Sequence, residues 1–232
     1  MKVTPESEST RRVVRSFVRR EGRMTSAQER ALRDLWPQYG VELSEGAIDL
    51  SAIFARTAPV VMEIGFGNGE ALADIATNHP HINYLGVEVH RPGVGHLLRG
   101  LLARHLSNVR VICTDANEVL ARLPDESLAE VRLFFPDPWP KKRHHKRRLV
   151  QPVFVETVRR KLGKDGLFRL ATDWEDYAQH MLAVLTTTQG LENVSFDGGF
   201  EPRSEARSLT KFERRGQRLG HVVRDLVFRR VG

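Results

Sequence analysis

Apolar runs alternate with amphipathic segments from residue 60 onward, and this pattern predicts strands that alternate with helices. The predicted strands lie near residues 60–64, 82–88, 109–113, 129–135 and 165–171. The predicted helices lie near residues 69–78, 94–105, 116–122, 148–162 and 174–187. Strands that are joined through helices imply βαβ crossovers, and therefore a parallel sheet with both faces covered. Residues 222–228 alternate loosely, which predicts an edge strand that closes the sheet.

One amphipathic helix is predicted before the first strand. Thr25 and Gln28 have the spacing of a capping box, in which each side chain accepts a hydrogen bond from the other residue's backbone. Apolar residues then recur at helical spacing from Ala31 to Trp36, and Pro37 is predicted to end the helix.

The charge pattern divides the chain into an arm and a domain. Residues 1–24 are polar and contain six arginines between positions 11 and 23, which predicts a basic, partly disordered N-terminal arm. Residues 25–232 have no internal repeat and no low-complexity segment, so they are predicted to form a single domain.

Composition indicates an anionic partner and a cytoplasmic location. The chain has 36 Lys and Arg against 29 Asp and Glu, a net charge of +7, which favours phosphate backbones or anionic surfaces as partners. A single cysteine, Cys113, fits a reducing cytoplasm. No apolar run approaches the roughly 20 residues of a membrane span. We expect a cytoplasmic protein that binds nucleic acid and does not enter a membrane.

The segment FFPDPWPKKRHHKRR, residues 134–148, combines a rigid turn with a dense positive charge. Three prolines end the preceding strand and hold Asp137 at its carboxyl end, which is where open α/β sheets bind ligands. The next eight residues, 141–148, comprise six Lys or Arg and two His. His144 and His145 have no third ligand at metal spacing, so no metal site is predicted. This arrangement indicates chemistry on a nucleic acid.

A glycine-rich turn follows the first predicted strand and opens the first predicted helix. Gly65, Gly67 and Gly69 alternate with other residues, which allows positive φ and a close approach of a ligand to the backbone. A dinucleotide-binding turn needs its third glycine at position 70, where this chain has glutamate. The spacing therefore disfavours a nicotinamide-dependent dehydrogenase.

Acidic residues lie at the carboxyl ends of three successive predicted strands. Glu63, Glu88 and Asp115 favour a ligand that has a cationic end and free hydroxyl groups. S-adenosylmethionine has both, because it carries an ammonium, a sulfonium and an unphosphorylated ribose. Asp115 has an alternative role as a helix cap, since it precedes a predicted helix. These residues favour a methyltransferase.

Long motifs make the chain resemble the bacterial tRNA (guanine-N7-)-methyltransferases. The matching segments are RSFVRREGR (15–23), EIGFGNGE (63–70), GVEVHRPGVG (86–95), FPDPWPKKRHHKRRL (135–149), ATDWEDYAQHML (171–182) and LTKFERRGQRLGH (209–221). The resemblance implies a Rossmann-like class I methyltransferase fold, α/β, with a mostly parallel seven-stranded sheet and helices on both faces. It also implies methyl transfer from S-adenosylmethionine to N7 of the guanine at position 46, in the variable loop of tRNA.

The resemblance also implies roles for individual residues. The cofactor site comprises Glu63, Gly65, Gly67, Gly69, Glu88, Asp115, Ala116 and Asp137, of which Asp137 is the catalytic position. The substrate contacts are Lys141, Asp173, Thr210, Lys211, Phe212 and Glu213. The RNA-binding segment comprises Lys142, Arg143, His144, His145, Lys146, Arg147 and Arg148. Ser208 departs from the family pattern, in which proline is expected.

Several alternatives stay open at the level of sequence. Asp173 has an alternative role as the N-cap of the following helix, and Trp139 either stacks on a base or packs under the proline turn. The substrate has two further possibilities: another RNA, such as ribosomal RNA, or an RNA bound without catalysis. The pattern does not distinguish a monomer from a homodimer.

Overall fold

The computed structural model describes residues 22–202 and 222–232. The strands are β1 (Val60–Ile64), β2 (Asn83–Val87), β3 (Val109–Ile112), β4 (Leu128–Phe134), β5 (Leu162–Thr172), β6 (Leu191–Asn193) and β7 (Arg224–Arg230). The helices are α1 (Ser26–Asp34), α2 (Trp36–Tyr39), α3 (Leu50–Phe54), α4 (Glu70–Asn78), α5 (Arg91–Ala103), α6 (Ala116–Arg122), α7 (Pro152–Lys161) and α8 (Glu175–Thr187). A 3₁₀ helix spans Lys142–Arg147.

The seven strands form one sheet in the order β3-β2-β1-β4-β5-β7-β6. Strands β1 to β5 pair in parallel, whereas β7 runs antiparallel to both β5 and β6. The predicted mostly parallel, seven-stranded sheet is thereby confirmed. The chain winds outward in opposite directions from β1 and β4, and open α/β sheets bind ligands at the carboxyl ends of the strands at such a switch point.

Helices cover both faces of the sheet. On one face, Met62 of β1 and Phe168 of β5 pack in a cluster with residues of α6, α7 and α8. On the other face, Val61 of β1 and Tyr84 of β2 pack against α1, α4 and α5. The residues of β1 and β2 are buried throughout, as expected for central strands with both faces covered.

The sequence predicts an edge strand at residues 222–228. A strand is present there, β7, but it is interior to the sheet, so the predicted edge position is wrong. The outer strand is β6, whose three residues, Leu191–Asn193, are too few for an alternating pattern to be recognised. Because β7 lies between β5 and β6, its burial comes from neighbours that are distant along the chain.

The capping box at Thr25 and Gln28 is confirmed, but the predicted end of the first helix is wrong. Helix α1 ends at Asp34, and Pro37 lies in the first turn of α2. Proline is tolerated in a first turn because the backbone N–H groups there have no partner within the helix. Among the described residues, no helix is long and apolar enough to cross a membrane.

Candidate active site

The glycine-rich turn after β1 presents its backbone to open space. Gly65, Gly67 and Gly69 have φ values of 74°, 59° and 73°, in the left-handed region that favours glycine. In the described structure, a Cβ atom added at Gly65 or Gly67 would have no neighbour within 4 Å. A Cβ at Gly69 would lie 2.7 Å from the side chain of Leu97 on α5. Two glycines therefore leave room for a ligand, and the third permits helix packing.

Glu88 joins the end of β2 to this turn. Its carboxylate accepts hydrogen bonds from the backbone N–H groups of Gly67 at 2.9 Å, Val89 at 2.7 Å and His90 at 2.9 Å. The residue is only 9% exposed. A carboxylate has about four lone-pair sites, so Glu88 keeps the capacity to accept another hydrogen bond from a ligand hydroxyl.

Glu63 is a buried acid near the carboxyl end of β1, and it is 7% exposed. Burial raises its pKa to about 7, against the opposing effect of Arg132, its neighbour on β4. Glu130, on the same strand as Arg132, raises the pKa further. A cationic ligand would favour the ionised carboxylate. The contact of Glu63 with a cofactor stays a prediction.

Asp115 is the N-cap of α6, which confirms its structural role. Its Oδ1 accepts hydrogen bonds from the backbone and the side-chain amide of Asn117, each at 2.9 Å. Ala116 follows as the first residue of the helix and is buried. The contact of Asp115 and Ala116 with a cofactor stays a prediction.

The turn that follows β4 has a strained backbone. Phe135 and Trp139 have φ values of 53° and 46°, which bulky residues rarely adopt. Each such residue costs on the order of 1–3 kcal/mol and persists only where surrounding contacts enforce it. The Phe135 N–H donates to Ala171 O at 2.7 Å, which anchors the entrance of the turn to β5. Asp137 lies between these two residues and is exposed.

The basic segment after this turn is folded against Trp139. The Arg147 guanidinium lies 4.9 Å from the centre of the indole ring, and the His144 ring meets it edge-on at 5.9 Å. Trp139 thus packs against the basic segment. These contacts test neither predicted alternative, stacking on a base or packing under the proline turn. Burial, followed by four neighbouring cations, lowers the pKa of His144 below its ordinary value of 6.5. His144 therefore carries less positive charge at pH 7 than an ordinary histidine.

Arg148 differs from the other members of the predicted RNA-binding segment. It is 2% exposed, and its Nε donates to Pro138 O at 2.9 Å. Its Nη2 forms an ion pair with Asp176 on α8. A guanidinium that is buried in this way is not available to a phosphate, so the predicted RNA contact of Arg148 does not fit the structure. The exposed cationic surface comprises Lys141, Lys142, Arg143 and Lys146, with Arg147 partly exposed.

Asp173 follows β5 at the same edge of the sheet as Asp137 follows β4. The two strands are in register at Phe134 and Ala171, so both acids project beyond paired strand ends. The N-cap of α8 is Trp174, and in the described structure no side chain caps this helix. The alternative role of Asp173 as a helix cap is therefore wrong.

Gly93 on α5 is a position that the sequence analysis missed. A Cβ there would lie 2.1 Å from Gly67 O, so glycine lets α5 contact the glycine-rich turn directly. The signal was present in the segment GVEVHRPGVG, but the packing partner could not be read from it.

Part of the predicted site lies outside the described residues. This part comprises Thr210, Lys211, Phe212, Glu213 and residues 1–21 of the basic arm. Within residues 22–202 and 222–232, no group of three or more His, Cys, Asp or Glu side chains could hold a metal ion.

Comparison with known proteins identifies close relatives. Residues 57–226 match a family model described as "Putative methyltransferase". The tRNA (guanine-N(7)-)-methyltransferase of Alkalilimnicola ehrlichii is 59% identical over 223 residues, which cover 95% of this chain and 94% of that protein. The protein of the same name from Pseudomonas aeruginosa is 56% identical over 221 residues, which cover 95% and 91%.

Solved structures of methyltransferases share the fold. The 16S rRNA methyltransferase KamB has a TM-score of 0.58 at 16% identity, covering 84% of this chain and 98% of that one. The antibiotic-resistance methyltransferase Kmr has a TM-score of 0.55 at 19% identity, with coverage of 84% and 98%.

Proposed function

Because the chain belongs to the family of tRNA (guanine-N7-)-methyltransferases, we propose that it methylates N7 of the guanine at position 46 in the variable loop of tRNA. The methyl donor is S-adenosylmethionine. The observation that carries this proposal is the position of Glu63 and the glycine-rich turn beside the exposed Asp137 and the basic segment. A cofactor site and an RNA-binding surface thus lie side by side at the carboxyl ends of the central strands β1 and β4.

The residues of the crevice fit this cofactor. The open space in front of Gly65 and Gly67 accommodates a ligand that contacts the backbone, and Glu63 pairs with its ammonium group. Glu88 accepts from the ribose hydroxyls, and Asp115 and Ala116 contact the adenine. When bound, S-adenosylmethionine supplies a methyl group activated by positive charge on sulfur.

The reaction needs no general base before the methyl group moves. N7 of guanine is an unprotonated acceptor whose lone pair is available for attack. Catalysis therefore rests on positioning, which supplies about 7–11 kcal/mol in well-oriented reactions. Asp137, Asp173 and Glu213 accept hydrogen bonds from the N1–H and the exocyclic amine of guanine. These bonds strengthen as the purine gains positive charge, so they stabilise the transition state more than the bound substrate.

The exposed cations at 141–147 bind the phosphates around the target nucleotide. Lys141, Lys142 and Arg143 are exposed at the start of the basic segment, immediately after the Asp137 turn. This surface holds the tRNA while the guanine leaves its stacked position and enters the site. Such a substrate places the enzyme in the cytoplasm.

A mapping experiment tests this function. The purified protein is incubated with labelled S-adenosylmethionine and unmodified tRNA, and the product is cleaved with chemistry specific to N7-methylguanosine. We expect a single cleavage at position 46 and no labelling of a tRNA in which that guanine is replaced by adenine. Cleavage at another position, or labelling of ribosomal RNA in preference to tRNA, would contradict the proposal.

A further inference from the structure

Arg148 is a buried cation that contacts three parts of the site. Its Nε donates to Pro138 O at 2.9 Å, and its Nη2 pairs with Asp176 on α8 and lies 3.1 Å from His145 Nε2. Its guanidinium carbon is 4.8 Å from the centre of the Tyr177 ring. One side chain thereby joins the turn after β4, the 3₁₀ helix and α8.

The turn has few backbone hydrogen-bond donors with which to hold its shape. Positions 136, 138 and 140 are prolines, which have no backbone N–H to donate. Phe135 and Trp139 have positive φ values, so the turn occupies a conformation that it would leave without external contacts. The carbonyl that Arg148 holds belongs to Pro138, which directly follows Asp137. Pro138 is the residue after Asp137 and its ring fixes φ, so holding its carbonyl restricts the backbone that carries the Asp137 carboxylate.

Asp176 orients Arg148. Its side chain is 64% exposed, whereas that of its partner is 2% exposed. The hydrogen bond to Arg148 lowers the pKa of Asp176, so the carboxylate is ionised at neutral pH. Behind the guanidinium, Tyr177 is fixed by the Val150 N–H, which donates to its Oη at 3.2 Å. Asp176 and the Tyr177 ring thus hold the Arg148 guanidinium in the position from which its Nε donates to Pro138 O.

We propose that Arg148 is a positioning residue that holds the Asp137 turn in its reactive shape, and that Asp176 orients Arg148 for this role. The inference rests on the proposed function, since it assigns Asp137 to methyl transfer. Arg148 thereby has a different role from its exposed neighbours in the basic segment, whose charges face solvent and bind phosphate. A buried guanidinium that already faces a carboxylate adds little to the attraction of RNA.

The experiment compares Asp176→Ala, Arg148→Met and Arg148→Lys with Glu156→Ala as a control. Glu156 is likewise a helix carboxylate paired with an arginine, Arg159 at 2.6 Å, and it lies outside the site. Single-turnover methylation is measured at saturating tRNA and cofactor, together with the salt dependence of tRNA binding. We expect Asp176→Ala and Arg148→Met to lower the rate about 10- to 100-fold, as misplacement of a reacting group does.

The salt dependence distinguishes positioning from RNA binding. We expect all four variants to keep the wild-type salt slope, which is the slope of log tRNA affinity against log salt concentration, because none removes a phosphate contact. The double variant of Arg148 and Asp176 is expected to be no slower than Arg148→Met alone, since the two residues act as one unit. Arg148→Lys keeps the charge but not the planar fork, so its rate is expected to lie between those of Arg148→Met and the wild type.

Three results would overturn the inference. One is a wild-type rate in Asp176→Ala and Arg148→Met. Another is a salt slope that falls by about 1 in Arg148→Met with an unchanged saturated rate, which is the result of a phosphate contact. If Arg148→Met does not fold, Asp176→Ala decides between the outcomes, because the Asp176 side chain is exposed.

A wild-type protein that fails to label tRNA contradicts the proposed function instead. In that case the third result, unchanged hydrogen exchange of residues 134–141 in Asp176→Ala, would reject the stabilisation of the turn by Arg148.

Discussion

The backbone N–H of Gly67 donates to the carboxylate of Glu88 over 2.9 Å, so the turn that follows β1 is tied to the residue that follows β2. The bond crosses between neighbouring parallel strands at their carboxyl ends. It makes the shape of the glycine-rich turn depend on an acid 21 residues away. The same carboxylate is proposed to meet the ribose, so ligand binding and turn geometry share one residue.

The glycine-rich turn provides a direct test of cofactor binding. We expect Gly67→Ala to weaken binding of S-adenosylmethionine about 10- to 100-fold, or about 1.4–2.8 kcal/mol, because the methyl group occupies the space of the ligand. Calorimetric titration measures this affinity. Gly198→Ala is the matched control, since Gly198 also has positive φ (70°) and no described atom near its added Cβ. Equal losses in both variants would show that backbone strain alone is responsible.

Cofactor affinity is expected to depend on pH through Glu63. Its pKa is about 7, so the carboxyl group gains negative charge as pH rises toward neutrality. Between pH 5.5 and 7 the amino group of the cofactor stays protonated, and affinity should rise by up to about tenfold per pH unit. Glu63→Gln should bind more weakly and without this slope. A slope that persists in Glu63→Gln would assign the titration to another group.

The same pKa shift predicts how stability depends on pH. The folded-state pKa lies above the ordinary value of 4.5, so the folded protein retains a proton that the unfolded chain releases. The stabilising contribution of the protonated carboxyl group is complete below pH 4.5 and is lost as pH rises through 7. Glu63→Gln should therefore raise the melting temperature relative to the wild type more at pH 8 than at pH 5, as thermal unfolding measures. An equal difference at both pH values would contradict the shift.

Asp137 is expected to accept a hydrogen bond from a ligand and not to act as a general base. Asp137→Asn should lower the single-turnover rate by about 10- to 100-fold, the loss of a charged hydrogen bond. The rate profiles of the wild type and the variant should have the same shape between pH 6.5 and 8.5. A wild-type rate that rises with pH near neutrality, together with a flat profile for the variant, would identify a general base.

Asp173 provides a test of function that does not depend on stability. Since Trp174, and not Asp173, is the N-cap of α8, Asp173→Ala should not show the loss of about 1 kcal/mol in the free energy of unfolding that removal of an N-cap brings. The kcat/KM of Asp173→Ala for tRNA should fall about 10- to 100-fold, because a contact with the base is lost. Denaturant unfolding and steady-state kinetics measure the two quantities. A stability loss near 1 kcal/mol with normal kinetics is the result expected of a helix cap.

Salt dependence measures the contribution of the exposed basic segment. If the five exposed or partly exposed cations at 141–147 contact phosphate, tRNA affinity should fall about 10²- to 10³-fold between 50 and 200 mM salt. Replacing Lys142 and Arg143 with methionine should lower the slope by about 1 for each contact removed. Lys164→Met is the control, because Lys164 is exposed in the early part of β5, away from the carboxyl ends of the strands. A shallow wild-type slope would contradict phosphate binding by this surface.

Local patterns in the sequence were sufficient to predict most of the sheet and the cofactor turn. The apolar runs of β1 and β2 are buried throughout, and those of β3, β4 and β5 are mostly buried, so hydrophobicity marks these strands. The glycine-rich turn and the proline turn are also local, because φ preferences belong to single residues. Glu63, Glu88 and Asp137 could therefore be placed at strand ends before any tertiary contact was known.

Only the tertiary structure determined which neighbours these residues meet. Arg148 is indistinguishable from Arg147 in the sequence, yet α8 buries the first beneath Pro138 O, and the second packs on Trp139. Strand β7 becomes interior because a three-residue strand, β6, pairs with its outer edge. Burial and ion pairing depend on segments that are far apart along the chain. For this protein, the sequence by itself determined the strands, the turns and the kinds of chemical group at the site, and the packing of α8 and β6 determined what each group can reach.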